Sequence, residues 1–198
     1  MSTRSEITKE LSVSLERFLN PHKDTRIYIA KEVTFDYASD HAIRVDYMQF
    51  KPINNTVSGI EKGDIYCYEI KSSVADFHSG HGLNFIGDYN YLVMPEEVYA
   101  AVANEIPRYV GVIVPTESSY RNNWQCLKLI KNAKRRDREK PLTEMLFMMF
   151  RSAARDRCKL SQTMLAREEK DAATEAAKSI EWTRESEEIE RVLKEWGY

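Results

Sequence analysis

The stretch Asp64-Ile-Tyr-Cys-Tyr-Glu-Ile-Lys-Ser-Ser73 reads as a β-strand bounded by polar residues. Residues two apart on a strand share a face, so Glu69 and Lys71 point the same way. Upstream, Ala42-Ile-Arg-Val-Asp-Tyr-Met-Gln-Phe50 reads as a second strand and carries Asp46. Two carboxylates and a lysine on neighbouring strands have the chemistry to hold a divalent cation and to position a water or a phosphate. Hard cations such as Mg²⁺ take oxygen ligands. They assist phosphodiester hydrolysis by polarising the phosphoryl oxygen and activating water. Tyr68 and Ile70 on one face, with Cys67 on the other, describe a mostly covered strand. A covered acid needs a partner.

Other elements follow on either side. Residues 5–19 predict a helix with Ile7, Leu11, Leu15, Phe18 and Leu19 on one face, stopped at Asn20-Pro21. Residues 25–30 predict a short extended segment, and 32–37 a strand. The Asn-, Ser- and Gly-rich connection 52–63 reads as a hairpin loop. Residues 74–86 read as a short helix plus loop. Tyr89-Asn-Tyr-Leu-Val-Met-Pro95 is a fourth strand, 96–105 a helix and Tyr109-Val-Gly-Val-Ile-Val-Pro115 a fifth strand, which together form a βαβ crossover. Beyond Pro115 the patterns predict only helices, over 123–134, 142–157 and 161–196. The chain then divides into an α/β core over 1–118, a basic helical segment over 119–160 and a charged terminal helix over 161–198. Met145, Met148 and Met149 with Leu142, Leu146, Phe147 and Phe150 form an apolar helix face, read as core.

At 198 residues with 42% hydrophobic and 30% charged side chains, the chain is expected to fold as a globule with an appendage. No apolar run is long enough to span a bilayer, and the amino terminus lacks a signal peptide's apolar segment. Cys67, Cys126 and Cys158 have neither disulfide nor zinc-ligand spacing and fit a reducing interior. A cytoplasmic protein with no membrane partner is expected. The net charge of −2 is unevenly spread: −6 over residues 1–119, +8 over 120–160 and −4 over 161–198. A basic segment between two acidic ones suits phosphate binding. Its core is Lys128, Lys131, Lys134, Arg135, Arg136 and Arg138, for which nucleic-acid contact is weighed against a solvated helix face.

The order helix, three-strand meander, helix, strand, helix, strand, with Asp46 upstream of Glu69-x-Lys71, resembles the PD-(D/E)XK nuclease superfamily, the restriction-endonuclease-like fold. Within it, Glu69-Ile-Lys-Ser-Ser-Val-Ala-Asp76-Phe77, Asp88-Tyr-Asn-Tyr-Leu-Val-Met-Pro95 and Val110-Gly-Val-Ile-Val114 are most similar to the MmcB-like DNA-repair branch. That branch usually continues its first stretch with a Lys-Trp pair, where this chain has Asp76-Phe-His-Ser-Gly-His-Gly-Leu-Asn84. The resemblance covers roughly residues 5–115. It implies a metal-dependent deoxyribonuclease, with DNA as partner and Mg²⁺ or Mn²⁺ as cofactor. Asp46, Glu69 and the Ile70 carbonyl would ligate the metal, and Lys71 would sit beside the attacking water.

Further candidates stand beside structural alternatives. The superfamily often adds a first-helix Glu to the metal, which makes Glu16 a candidate, with Glu10 a weaker one; Glu32 is a further acid. Each is weighed against a solvated surface role. Ser73 is a phosphate contact or a helix cap. His78 and His81, between glycines, are expected on a loop lining the substrate groove. The terminal helix has a narrow apolar stripe that fits packing back on the domain or pairing with another chain as a homo-oligomer. A nucleic-acid-binding or assembly protein that keeps the fold with little or no cleavage is the alternative function.

Overall fold

A computed structural model describes residues 3–37, 39–116 and 126–195. The chain divides into two compact units, residues 1–153 and 154–198.

The first unit opens with α1 (Arg4–Leu19). Thr3 accepts from the Glu6 amide at 3.3 Å, and the Glu6 carboxylate accepts from the Thr3 amide at 2.6 Å. This capping box satisfies two of the helix's otherwise unpaired donors. The sheet follows with β1 (Tyr28–Phe35), β2 (Ile43–Lys51), β3 (Asp64–Ile70), β4 (Tyr89–Val93), β5 (Gly111–Pro115) and β6 (Leu127–Lys131). Three short helices interrupt it: α2 (Val57–Glu61), α3 (Val74–His78) and α4 (Glu96–Val102). The six strands lie in chain order. β1, β2 and β3 are antiparallel, β3, β4 and β5 parallel, and β5 and β6 antiparallel. The two parallel pairs take α3 and α4 as their crossovers, as parallel strands require.

Alternation along the strands sends two sets of side chains to opposite faces. On one, Leu11 and Leu15 of α1 pack against Tyr47, Tyr68, Ile70, Val93 and Ile113. On the other, Met48, Phe50, Ile65 and Cys67 meet Met145 and Met149. Beside them Leu92, Val112 and Val114 meet Phe77, Val98 and Val102 of α3 and α4. The sheet is thus covered on both sides, which explains why β3 to β5 read as nearly continuous apolar runs.

Four expectations are corrected. The extended segment 25–30 and the strand 32–37 are one strand, β1, whose break is Glu32 with φ 47°. The helix expected over 123–134 is not formed: residues 127–131 are β6, residues 132–138 carry no regular structure, and 123–125 lie outside the described residues. β5 would otherwise present a row of unpaired backbone groups, which β6 satisfies while burying Leu127. The helices expected over 142–157 and 161–196 are one, α5 (Leu142–Glu195), because no breaker separates them. The apolar face at its start is core only in part. Met145 and Met149 are buried, whereas Phe147 and Phe150 are 61% and 77% exposed. Residues 154–198 form the second unit, which is helical through Glu195. Among the described residues no helix is long and apolar enough to cross a membrane.

Candidate functional site

The β2–β3 ladder ends at the Tyr47–Tyr68 pair, and just beyond that end lie Asp46 of β2 and Glu69 of β3. Glu69 follows Cys67 at the strand period and so belongs to the face away from α1. Asp46 is fixed by its own neighbour strand, because its Oδ2 accepts from the Ile70 amide at 2.9 Å. Glu69 is 5% exposed and interacts with the Asp46 carboxylate. Burial, and then the Asp46 charge, push its pKa up to about 10, against a smaller pull downward from Lys71. The protonated form of Glu69 is thereby favoured at neutral pH.

Lys71 lies just past β3 on the same face and is 3% exposed. Its backbone amide continues the pairing to Val93 O at 2.9 Å, which holds the strand end in line with β4. Its Nζ donates to the His81 carbonyl. The cover over the pair is the loop 79–84. Gly80 and Gly82 both have φ 73°, a conformation that L side chains rarely adopt. A Cβ at Gly82 would stand 2.4 Å from Glu69 Oε2 and 3.6 Å from Lys71 Nζ. The backbone of residue 82 therefore lies directly on the carboxyl group, and only glycine permits that approach.

The structure brings Asp46, Glu69 and Lys71 together around Ile70 and leaves the other expected side chains elsewhere. Glu16 accepts from Lys31 and, at 2.8 Å, from the Tyr47 hydroxyl, on the α1 face. Tyr47 packs with Tyr68 and Ile70 on the α1 face, the opposite side of the sheet from Glu69. Burial, reinforced by Glu16, raises the pKa of the Tyr47 hydroxyl. Glu10 is exposed on α1. Glu32 is exposed, with a left-handed backbone. Among the described residues no third acid, histidine or cysteine joins the pair in a metal-holding group. Ser73 caps α3 by accepting from the Asp76 amide at 3.1 Å, and Asp76 accepts from Ser72 and pairs with Arg4. The exposed His78 pairs with Glu105 at 3.0 Å. His81 offers Lys71 its backbone rather than its ring.

The basic run is engaged with the sheet rather than displayed along a helix. Asp88, 1% exposed, accepts from the Ile65 amide at 2.8 Å and pairs with Arg135 and Arg138, each at 3.3 Å. Arg135 also pairs with Asp64, Lys128 with Glu96, and Lys131 donates to Pro107 O. Arg136 lies over the Tyr109 ring at 4.2 Å. Lys134 is exposed. These bonds anchor residues 132–140 beside β3 and β4. Four of the six expected phosphate ligands thus already have acids or carbonyls.

No family model and no curated protein matches the chain. A solved structure does: the SPO1766 protein of unknown function from Silicibacter pomeroyi, at 18% identity and a TM-score of 0.51, over 78% of this chain and 90% of that one. At that identity the likeness extends to the fold.

Proposed function

We propose that this chain is a metal-dependent deoxyribonuclease with a restriction-endonuclease-like core. The observation that carries the reading is the Asp46–Glu69 pair: a buried carboxyl group that interacts with a second carboxylate, with the buried Lys71 alongside. The donor set fits Mg²⁺ or Mn²⁺. Two carboxylates and the Ile70 carbonyl are hard oxygen donors, and such cations take few protein ligands and complete their shell with water and substrate phosphate. When bound, the cation would polarise the scissile phosphoryl group and acidify a water. Glu69 would give up its proton on binding, as ligating carboxyls must. Asp46, held by the Ile70 amide, orients the second carboxylate without rotamer search. Lys71, once parted from the His81 carbonyl, would place a cation beside the developing negative charge on phosphate.

The second reading is a nucleic-acid-binding protein that does not cleave. It is favoured by the cover at Gly82 and by the near-complete burial of Glu69 and Lys71. Incubating the protein with labelled linear, circular and single-stranded DNA, with and without Mg²⁺ or Mn²⁺, separates the two. Metal-dependent fragments that vanish in Lys71→Ala support the nuclease. Retention of intact DNA under every condition supports the binder.

A further inference from the structure

The α1 side of the sheet carries a groove that the metal pair does not use. It has a volume of about 190 Å³ and is lined by Gln49, Lys51, Tyr66, Tyr68, Tyr91 and Leu129 among others. Gln49 and Lys51 follow Tyr47 at the strand period, and Tyr66 and Tyr68 flank Cys67, so all face away from Glu69.

Three features of the groove answer to three parts of one ligand. First, its rings are fixed as flat surfaces. Tyr66 stacks on Tyr89 at 4.6 Å between centroids and 13° between planes, and Tyr68 on Tyr91 at 5.4 Å and 16°. Tyr91 lies flat across β5 because Gly111 has no side chain: a Cβ there would stand 2.4 Å from the ring. Second, Gln49 is buried at the groove, and its Oε1 accepts from the Tyr68 hydroxyl at 3.1 Å, which leaves its amide nitrogen to donate. Third, Lys51 Nζ sits 4.1 Å from the Tyr66 centroid with no carboxylate in ion-pair distance among the described residues. The acid across from it, Asp64, is taken by Arg135.

A ring stack, a hydrogen-bonding amide and an uncompensated ammonium together match a base, its edge and a phosphate. We propose that this groove binds one nucleotide of a single strand, with its base taking the face of Tyr66 that the exposed Lys51 side chain now covers, Gln49 on the base edge and Lys51 swung onto the phosphate. Stacking on tyrosine accepts any base, so the site is sequence-tolerant. The groove's size admits one ring system and excludes a duplex. The proposal does not rest on the metal pair, whose Glu69 lies on the other face of the sheet.

The test is fluorescence anisotropy with a labelled fifteen-residue oligothymidylate, using the full chain in EDTA so that no metal-dependent cleavage can contribute. Tyr66→Ala should weaken binding between about fivefold and about 150-fold, the range for loss of one stacked base. Lys51→Glu alters an exposed side chain, so it tests the site even where Tyr66→Ala misfolds; it should weaken binding at least as much at low salt and flatten the salt dependence. Unlabelled oligothymidylate and thymidine monophosphate are then used as competitors. Displacement by the strand alone assigns the groove to single strands, and displacement by the mononucleotide at comparable concentration assigns it to free nucleotides. Photocrosslinking with 5-bromodeoxyuridine should label the peptide containing Tyr66 or Tyr91. Absence of binding, equal binding by wild type and Lys51→Glu, or crosslinks confined to residues 132–140 would overturn the proposal. Cleavage can fail while this binding persists, so the two readings fall separately.

Discussion

Replacing Glu69 by Gln removes one ionisable proton from the buried pair and preserves its shape. The unfolded chain titrates this group near 4.5, whereas in the folded protein it is pushed up to about 10, chiefly by burial and then by Asp46. Between those values the folded state holds a proton that the unfolded state has released. The group's contribution is therefore intact below the unfolded value and is lost progressively as pH rises toward the folded one. Each pH unit inside the window costs about 1.4 kcal/mol, or roughly 3 kcal/mol by pH 7. Gln carries no such cost. Glu69→Gln should accordingly stabilise the metal-free protein at pH 7 and above, by an amount on the order of 10 °C in melting temperature for a unit of this size. The two proteins should converge near pH 5. Urea denaturation at intervals from pH 5 to 9 in EDTA measures it. Parallel stability curves for wild type and variant would refute the claim that Glu69 retains its proton. Adding Mn²⁺ at pH 8 should recover stability in the wild type and not in the variant, since a ligand that binds only the folded state stabilises it by mass action.

Further outcomes follow from the same geometry. Binding of Mn²⁺ to the wild type at pH 7 should release about one proton, read by calorimetry in buffers of different ionisation enthalpy, and Glu69→Gln should abolish the release. Gly82→Ala should both strain a φ of 73° and push on the Glu69 carboxyl, costing about 1–3 kcal/mol in stability and weakening Mn²⁺ binding in a titration. Arg138→Ala leaves Asp88 buried with weaker compensation and should destabilise by about 3 kcal/mol in denaturant unfolding. Replacing the exposed Lys134 should leave stability within about 0.5 kcal/mol.

What the sequence made legible was set by short-range periodicity. The two-residue repeat in 64–70 puts Glu69 on the face of Cys67, and the pairing of β2 with β3 brings Asp46 to the same strand end. The rest depended on contacts that no local pattern encodes. The cover at Gly82 comes from a loop without periodicity, and its only signal was two glycines bracketing His81. Leu127-Lys-Leu-Ile-Lys131 fits a strand as well as a helix, and the open edge of β5 decides for the strand. The basic run looks free in one dimension because its acids, Asp64 and Asp88, lie 71 and 47 residues away from Arg135. Glu16 was ambiguous for a similar reason: helical spacing shows that it neighbours Leu15, but only the fold shows that α1 turns it toward Lys31 and Tyr47.

The central claim is that the Asp46–Glu69 pair exchanges its proton for a divalent cation. Crystals soaked in Mn²⁺ and measured at the manganese absorption edge address it directly. The account predicts one anomalous peak between the Asp46 and Glu69 carboxylates, within about 2–2.3 Å of both and of the Ile70 carbonyl, with residue 82 displaced from the carboxyl group. A peak elsewhere, or none while Gly82 still lies on Glu69, would contradict it.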